Sequence, residues 1–201
     1  MANELEFLGT YTLSKTFDDA SDFQEQPQNP FDLRAERALS LEHQQQRFVF
    51  DALWDLPIGP DEDEPHPSTA ANQSWYVRAF DHIEVAPIFT VGTGRPVNPL
   101  VGLDASRSNA FPLADRPLGL GRNSLQTGNL KEMDFRVLKY FPYGQYAHLD
   151  LVAEAFNLFN HPSVTQLNPY FGSGSVPLSG FRQPTEGLTA RRVQFSIDFE
   201  F

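Results

Sequence analysis

The last nine residues, VQFSIDFEF (Val193 to Phe201), alternate strictly between apolar and polar side chains. The apolar side of this stretch consists of Val193, Phe195, Ile197, Phe199 and Phe201. The polar side consists of Gln194, Ser196, Asp198 and Glu200. A period of two residues is typical of a β-strand that presents one face to an apolar environment and the other to a polar one. The sequence therefore predicts a regular terminal strand that ends on an aromatic side chain.

Five earlier stretches of about ten residues show the same alternation. They are ELEFLGTYTLS (4–14), RFVFDALWDL (47–56), HIEVAPIFTV (82–91), KEMDFRVLKYF (131–141) and YAHLDLVAEAF (146–156). Their length fits the roughly 9 to 11 residues of a tilted strand that crosses a bilayer and exceeds the usual 5 to 6 of soluble strands. Two residues interrupt the pattern, Pro87 and Lys139. Because proline lacks the N–H that a strand ladder needs, we expect a bulge or an unpaired position at Pro87.

The six stretches are expected to form one antiparallel meander in sequence order. On this register the following residues share one face: Leu5, Phe50, Phe89, Phe135, Leu151 and Phe195.

The connections between the stretches alternate between long and short. Long polar segments occupy 16–46, 92–130 and 161–190, whereas the fourth and fifth stretches are joined by little more than 142–145. This alternation is typical of outer-membrane barrels, which have long external loops and short periplasmic turns. The run PIGPDEDEPHPSTAANQ (57–73) departs from it, because it stands where a short turn is expected.

Composition excludes several other classes. The chain has 201 residues, with 15 basic and 26 acidic side chains and a net charge of -11. Such a balance argues against a nucleic-acid partner, which would require clustered Lys and Arg. There is no Cys, so disulfides and thiolate chemistry are excluded. No window approaches the 18 or so apolar residues of a transmembrane helix, and the first twenty residues do not read as a signal peptide.

Seven segments together resemble a known family. They are TYTLSKTFDDAS, RFVFDALWDLP, GTGRPV, GRNS, MDFRVLKYF, AEAFNLFNHPSV and RRVQFSIDFEF. In this order they resemble the C-terminal end of the Oar-like TonB-dependent transporters of bacterial outer membranes. The resemblance implies a barrel of about 22 strands, filled by an N-terminal plug and energised from the inner membrane through TonB.

The expected fold class is all-β: an antiparallel meander of about six long strands that is the C-terminal portion of a larger transmembrane β-barrel. Six strands fall short of the roughly eight of the smallest bacterial barrels. Residues 1–201 are therefore interpreted as the C-terminal segment of a TonB-dependent receptor barrel domain, in which the plug, the TonB box and the signal peptide are absent.

The terminal strand has a proposed role in assembly. The resemblance implies that a C-terminal strand ending in Phe is recognised by the barrel-assembly machinery, with Phe195, Phe199 and Phe201 carrying the signal. The alternative is that the alternation only packs one face of a soluble sandwich, and that the final Phe is coincidental.

Charged residues on the polar side are expected to face the barrel interior, because charge on the lipid face costs roughly 2 to 4 kcal/mol near the midplane. These residues are Asp134, Arg136, His148, Asp150 and Glu154. Arg136 could form ion pairs between strands with Asp150 and Glu154. Their expected role is to contact water or a plug in the interior, in preference to contacting a transported ligand.

Other candidate chemistry is weak. The acidic group Asp18, Asp19 and Asp22 in FDDASD lacks the spacing of a calcium loop, and a solvated loop is the preferred interpretation. The acidic run 61–64 beside His66 is interpreted as disordered, since consecutive acids cannot all face one ion. The five His do not occur in close pairs, and no phosphate loop or hydrolase elbow is present. We expect no cofactor, no metal site and no catalytic residue.

The predicted function is that of an outer-membrane transport or receptor protein fragment without enzymatic activity. Its expected partners are outer-membrane lipid, the barrel-assembly machinery, the TonB system through the missing N-terminal part, and an unknown transported ligand. The expected location is the outer membrane of a Gram-negative bacterium.

The alternative is a soluble acidic β-sandwich that binds carbohydrate through Trp54, Trp75, Tyr76 and Tyr143. The long strands and long loops disfavour it, since sandwich strands are shorter and joined by turns every 8 to 12 residues or so.

Overall fold

The computed structural model describes residues 5–21, 25–58, 75, 80–109, 115–143 and 147–201. The long strands in these ranges are β1 (Leu5–Leu13), β4 (Gln46–Asp55), β5 (Ile83–Gly92), β8 (Leu130–Tyr143), β9 (Ala147–Phe156) and β12 (Arg192–Glu200). The short strands are β2 (Phe17–Asp18), β3 (Ala38–Leu39), β6 (Pro96–Val97), β7 (Leu125–Gln126), β10 (Val164–Leu167) and β11 (Pro184–Gly187). One turn of 3₁₀ helix covers Leu33–Glu36.

The six long strands form one antiparallel sheet in the order β1-β4-β5-β8-β9-β12. This is the predicted meander, and the all-β fold class is confirmed. Each strand begins and ends within one or two residues of its predicted stretch, because period-two alternation marks where one face stays apolar. Within the described residues β1 and β12 are the two edges of the sheet, which is not closed.

The fourth predicted stretch is longer than expected, since β8 continues through Pro142 to Tyr143. The N–H of Tyr140 donates to the carbonyl of His82. The backbone nitrogen of Pro142, two residues later, therefore points to the same edge of β8, toward β5. There β5 has already ended, because Ile83, its first residue, pairs with Lys139. Proline is tolerated in a strand where no neighbour requires its missing N–H.

The expected disturbance at Pro87 is present as an unpaired position. The ladder between β4 and β5 runs to the pair Asp51 and Ile88 and resumes at Trp54 and Val85 without a change of register. On its other side β5 stays paired through Pro87, which lies opposite Phe135. The proline therefore interrupts one ladder without introducing a bulge.

The strand register divides the sheet into an apolar face and a polar face. Of the six residues predicted to share one face, Phe50 and Phe89 lie directly opposite each other on neighbouring strands. The strand pairs, together with the alternation along each strand, place the other four on the same side of the sheet. The apolar face carries Leu5, Phe7, Tyr11, Phe48, Phe50, Trp54, Ile83, Val85, Phe89, Met133, Phe135, Val137, Phe141, Leu149, Leu151, Val193, Phe195, Ile197 and Phe199, among others. The prediction of a common face is confirmed.

Long connections meet at one end of the sheet, because antiparallel strands in sequence order return there after β1, β5 and β9. We call their residues 14–45, 93–129 and 157–191 the loop layer. It contains the pairs β2–β3, β6–β7 and β10–β11, and the buried side chains Leu100 and Leu125. On the sheet itself, by contrast, Phe7 and Phe195 are 69% and 79% exposed. The buried apolar side chains of the described chain thus lie in the loops, and the sheet presents apolar side chains outward.

Candidate functional site

The polar face of the sheet is strongly acidic. Every long strand contributes at least one carboxylate to it: Glu6, Asp51, Asp55, Glu84, Glu132, Asp134, Asp150, Glu154, Asp198 and Glu200. Its arginines are Arg47, Arg136 and Arg192. The five charged residues predicted to share one side, Asp134, Arg136, His148, Asp150 and Glu154, all lie on this face. The face therefore carries a large excess of negative charge on six adjacent strands.

Among the described residues, Arg136 forms no ion pair within 4 Å with either of its two predicted partners, although the strand register brings one of them close. It lies directly opposite Glu154 in the ladder between β8 and β9, whereas Asp150 lies opposite Tyr140. Four residues along a strand correspond to roughly 13 Å, so an ion pair between Arg136 and Asp150 was a wrong expectation. The Glu154 carboxylate also accepts a hydrogen bond from the side chain of Gln194 on β12.

A titratable cluster surrounds His148 near the end of the sheet away from the loop layer. Its Nε2 lies 3.7 Å from a carboxylate oxygen of Asp150 and 3.7 Å from one of Glu200. The ring of Tyr140 lies between two imidazoles, with centroid distances of 5.0 Å to His148 and 5.8 Å to His82. The sequence places these two His 66 positions apart, and adjacent strands bring them to the same tyrosine. Asp150 also faces Asp198 across the strand pair, an arrangement that costs energy unless a cation approaches.

One carboxylate oxygen on this face has no partner. Within the part of the chain that the structure describes, Oδ1 of Asp150 is buried and accepts no hydrogen bond. A donor that docked against the polar face could satisfy it.

Lys139 is a charged residue within the apolar face, which also carries Lys131 at its other end. It lies opposite Ile83, the first residue of β5, and its ammonium reaches the carboxylate and the carbonyl of Asp81. A lysine can keep its methylene chain on an apolar surface while its charged end reaches a polar boundary. The interruption of the pattern thus marks the far end of the sheet.

The three aromatic residues proposed as the assembly signal differ in environment. Phe199 borders a recess of about 290 Å³ with Phe141, Leu149 and Leu151, and its ring stacks on Phe201 at 5.9 Å. Phe201 is 96% exposed. Phe195 lies on the same face nearer the middle of β12, opposite Ala153.

The loop layer is joined by a buried arginine that sequence reasoning missed. The side chain of Arg122, in the GRNS motif, is fully buried. Its Nε and Nη2 donate to the carboxylate of Glu25 at 2.9 and 3.0 Å, and its Nη1 donates to Oδ1 of Asp18 at 2.6 Å. It also donates to the hydroxyl of Ser21 at 2.6 Å and to the carbonyl of Glu36 at 3.2 Å. We call these five residues the Arg122 cluster.

A second buried pair lies beside it. Arg116 donates two hydrogen bonds of 2.7 Å to the carboxylate of Glu36, and both side chains are 4% exposed. Parallel bonds of this kind are the strongest geometry between an arginine and a carboxylate. Together the two arginines fasten the connection before β4 to the connection before β8.

The Arg122 cluster corrects the interpretation of FDDASD as a solvated loop. Asp18 is an ion-pair partner of Arg122, while Asp19 makes only an exposed contact of 3.8 Å with Arg37. Asp22 lies outside the described residues. The interpretation was wrong for Asp18, because no local spacing reveals a partner 104 positions away.

The ionised forms of two loop carboxylates are stabilised by these contacts. Burial alone would raise the pKa of Asp18, but hydrogen bonds from Arg122, Ser40 and Ser21 outweigh it and hold that pKa below its usual value. Burial likewise opposes ionisation of Glu36, and the bonds from Arg116 and the backbone N–H of Gln28 lower its pKa overall. Both are therefore anions at neutral pH.

The GTG motif permits close packing of two loop strands. A Cβ added at Gly94 would lie 2.0 Å from the carbonyl oxygen of Thr127. The neighbouring Arg95 donates its N–H to the Thr127 hydroxyl at 2.8 Å, and the N–H of Thr127 donates to the Arg95 carbonyl at 2.9 Å. The motif is thus a packing element.

The NLFNHPS segment after β9 is a hydrogen-bonded turn. Asn157, at φ 50°, donates to the carbonyls of His161 and Thr189 and accepts from the N–H of His161. Ser163, 1% exposed, exchanges hydrogen bonds of 2.9 Å with the backbone of Lys131. The segment fixes the start of β8 against the connection that leads to β12.

Comparison with known proteins identifies the family of this chain. Residues 1–120, more than half of the chain, match the family described as outer membrane beta barrel domain. The chain belongs to this family. No curated protein and no solved structure matches it. This outer membrane β-barrel protein is located in the outer membrane of a Gram-negative bacterium.

Family membership explains why the sheet exposes apolar side chains such as Phe7 and Phe195. An outer membrane β-barrel directs an apolar band outward and polar side chains inward, which is the division that the strand register shows. It also decides against the soluble carbohydrate-binding sandwich, since the six long strands form one sheet. Of the four aromatic residues proposed for that function, Trp54 and Tyr143 lie on the apolar face, Trp75 is exposed and Tyr76 lies outside the described residues.

Other observations on this outer membrane β-barrel protein concern metal binding, membrane-spanning helices and two of its histidines. In the described ranges no group of His and acidic side chains could hold a metal ion, and no helix is long and apolar enough to cross a membrane. His43 is buried and accepts the N–H of Thr16 at 3.3 Å. The acidic run 61–64 and His66 lie outside the described residues.

Proposed function

We propose that residues 1–201 form the C-terminal segment of a TonB-dependent receptor barrel that takes up a ligand across the outer membrane. In this proposal the apolar face contacts outer-membrane lipid, and the polar face lines a water-filled interior that holds a plug. The chain itself performs no catalysis and binds no nucleic acid.

The acidic polar face is the observation that carries the proposal. Each charge placed against lipid would cost roughly 2 to 4 kcal/mol near the midplane, so a face with ten carboxylates must contact water or protein. It extends over six strands whose edges, β1 and β12, are unpaired in the described chain. Barrels of about eight strands fill their interior with side chains. A face with so much uncompensated charge requires a wider, hydrated interior, completed by further strands.

The resemblance to Oar-like transporters supports the role of TonB and the presence of a plug. The unpartnered Oδ1 of Asp150 and the facing pair Asp150 and Asp198 support a docking role for the polar face, because a donor or a cation there would relieve both. The fastened loop layer supports ligand capture at the external end, since a preorganised surface loses less entropy on binding.

The terminal strand supports recognition by the barrel-assembly machinery. In this proposal Phe195, Phe199 and Phe201 form the signal, because the first two are exposed on β12, Phe201 is exposed directly after it, and the far edge of β12 is unpaired within the described chain. An unpaired edge can pair with a strand of a partner.

Cysteine labelling tests the two-face assignment directly, because residues 1–201 contain no Cys. Ser196 and Ile197 are neighbours on β12 and face opposite sides of the sheet. In folded receptor embedded in outer-membrane vesicles, Ser196→Cys should react with a charged, water-soluble maleimide, whereas the matched Ile197→Cys should react only with a lipid-soluble one. Equal reactivity of both with the charged reagent would contradict the barrel assignment.

The transport proposal needs a separate test. Reading the genomic frame upstream of Met1 should reveal further strands, a plug and a signal peptide. Cells that carry the complete receptor should accumulate its ligand, selected from a panel of siderophores, oligosaccharides and peptides, only when TonB is present. Equal accumulation without TonB would refute TonB dependence and leave the labelling result standing.

A further inference from the structure

Two turns in the loop layer each present a large apolar side chain to solvent. In the connection before β4, a backbone hydrogen bond of 3.0 Å closes the turn 29–32 around Phe31. In the connection before β8, a backbone hydrogen bond of 3.1 Å closes the turn 117–120 around Leu118. Phe31 is 97% exposed, and Leu118 is fully exposed. We call Phe31 and Leu118 the apolar tips.

The backbone of both turns is held in place by local chemistry. The N–H of Phe31 donates to Oδ1 of Asn29 at 3.0 Å, which is a common way for an asparagine to fix a turn. In the other turn Gly119 has φ 83°. A type II turn requires a positive φ at its third position, and glycine adopts it without strain. Each apolar tip therefore stands on an ordered turn.

A hydrogen-bonded clamp joins the bases of the two turns. Gln28 directly precedes the first turn, and Arg116 directly precedes the second. The buried carboxylate of Glu36 accepts two hydrogen bonds of 2.7 Å from Arg116 and one of 2.9 Å from the N–H of Gln28. The side chain of Gln28 also donates to the carbonyl of Arg116 at 3.2 Å. Because each tip follows its clamp residue by two or three positions, the Cα atoms of the two are within roughly 11 Å of each other.

The shape of this surface determines which partner fits it. Small molecules bind in concave sites that bury most of their surface. The apolar tips instead project from turns, and side chains so exposed line no cavity among the described residues. A partner must therefore supply the apolar pockets, as a folded protein does. Side chains that fill such pockets contribute most of the binding energy of protein interfaces.

A cation beside the apolar tips indicates the charge of that partner. Leu33 and Arg34 begin the 3₁₀ helix that follows the first turn, and both are exposed. Within the part of the chain that the structure describes, Arg34 forms no ion pair. Complementary charges at the rim of an interface accelerate association and exclude wrong partners. A carboxylate on the partner would therefore fit next to its apolar pockets.

We propose that the apolar tips, together with Leu33 and Arg34, form a docking surface for a protein outside the cell that has apolar pockets and a carboxylate opposite Arg34. Long loops of outer-membrane barrels are external, and both tips lie in such loops. Docking of this kind requires neither TonB nor a transported ligand.

Photo-cross-linking in cells that carry the complete receptor identifies the partner. A benzophenone amino acid is placed at Phe31, at Leu118 or, as the matched control, at Phe159, which is 72% exposed in the turn after β9. The same external protein should be cross-linked from both tips and not from position 159, and mass spectrometry identifies it. No cross-linked protein, or different proteins from the two tips, would overturn the proposal.

Binding of that purified protein to the receptor in nanodiscs measures what each side chain contributes. Phe31→Ser and Leu118→Ser should each weaken binding about 10-fold, and the double variant about 100-fold, because each removes one apolar side chain from a pocket. Arg34→Gln should weaken binding about 5-fold and reduce its dependence on salt. Phe159→Ser should bind like wild type, and Phe31→Leu, which keeps an apolar tip, within about 3-fold of it.

Equal affinity of wild type and the double serine variant would refute the docking surface, as would an equal loss of affinity in Phe159→Ser. Hydrogen exchange of residues 14–45 and 93–129 should be unchanged in the serine variants, since both tips are exposed. If exchange increased together with the loss of binding, the loss would come from opened loops, and the apolar tips would not be the contact.

Discussion

Replacing Arg122 by Met tests whether the loop layer depends on its buried charges. The substitution keeps an unbranched side chain of similar length but removes the guanidinium, the only cation of the Arg122 cluster, and leaves Ser21 as a donor to Asp18 and Glu25. It leaves the carboxylates of Glu25 and Asp18 facing one another without a cation, and their side chains are only 8% and 24% exposed. A buried anion without a partner is much more costly than a missing contact.

The expected magnitude follows from this burial. Removing one partner of a buried ion pair costs about 3 to 5 kcal/mol. Asp18 can regain water, so the cost should lie near the lower end, about 3 kcal/mol. At roughly 1.4 kcal/mol per factor of ten, opening of residues 14–45 should become about 100-fold more frequent.

Hydrogen exchange of loop amides in the folded receptor measures this opening. The control is Arg95→Met, whose partner is an exposed Glu42 at 3.3 Å. Exposed pairs contribute about 0 to 1 kcal/mol, so exchange there should change less than about 5-fold. Equal protection in Arg122→Met and wild type would show that the Arg122 cluster does not hold the loops. Equal loss of protection in Arg122→Met and Arg95→Met would show that burial of the ion pair does not determine the effect.

Three further predictions concern other parts of the chain. Because the pKa values of Asp18 and Glu36 are held below their usual range, loop protection should stay constant from about pH 8 to 5 and fall below about pH 4, measured by proteolysis. Gly94→Ala should open the adjoining loop strands, since its Cβ would meet a backbone carbonyl oxygen at 2.0 Å; unchanged exchange there would contradict this. Deleting Phe201 should lower the folded yield in outer-membrane fractions, whereas Glu200→Gln, on the polar face, should change it little; equal yields for the deletion and wild type would remove the assembly signal.

The sheet was predictable because its information is local. Alternation in each stretch determines which side chains share a face, and a slip of one residue would exchange the two faces of a strand. The common face of Phe50 and Phe89, and that of Arg136 and Glu154, therefore followed from the pattern, whereas their positions directly opposite each other come from the structure. Even the interruption at Pro87 had a local cause, its missing N–H.

The loop layer was not predictable for the opposite reason. Arg122 and Asp18 are 104 positions apart, and their segments show no periodicity that would relate them. GRNS and FDDASD each look like polar loops when they are considered separately. Only the strand order, which returns the connections after β1 and β5 to the same end of the sheet, brings them together.

The two parts of this protein consequently depend on different forces. The sheet exposes its apolar side chains, so its stability must come from lipid and from neighbouring strands. The loop layer buries few apolar side chains, among them Leu100 and Leu125, and depends on charged hydrogen bonds that act in water. A variant such as Arg122→Met should therefore release the loops while the barrel keeps its heat-modifiable mobility. Loss of both together would mean that the loop layer also supports strand pairing.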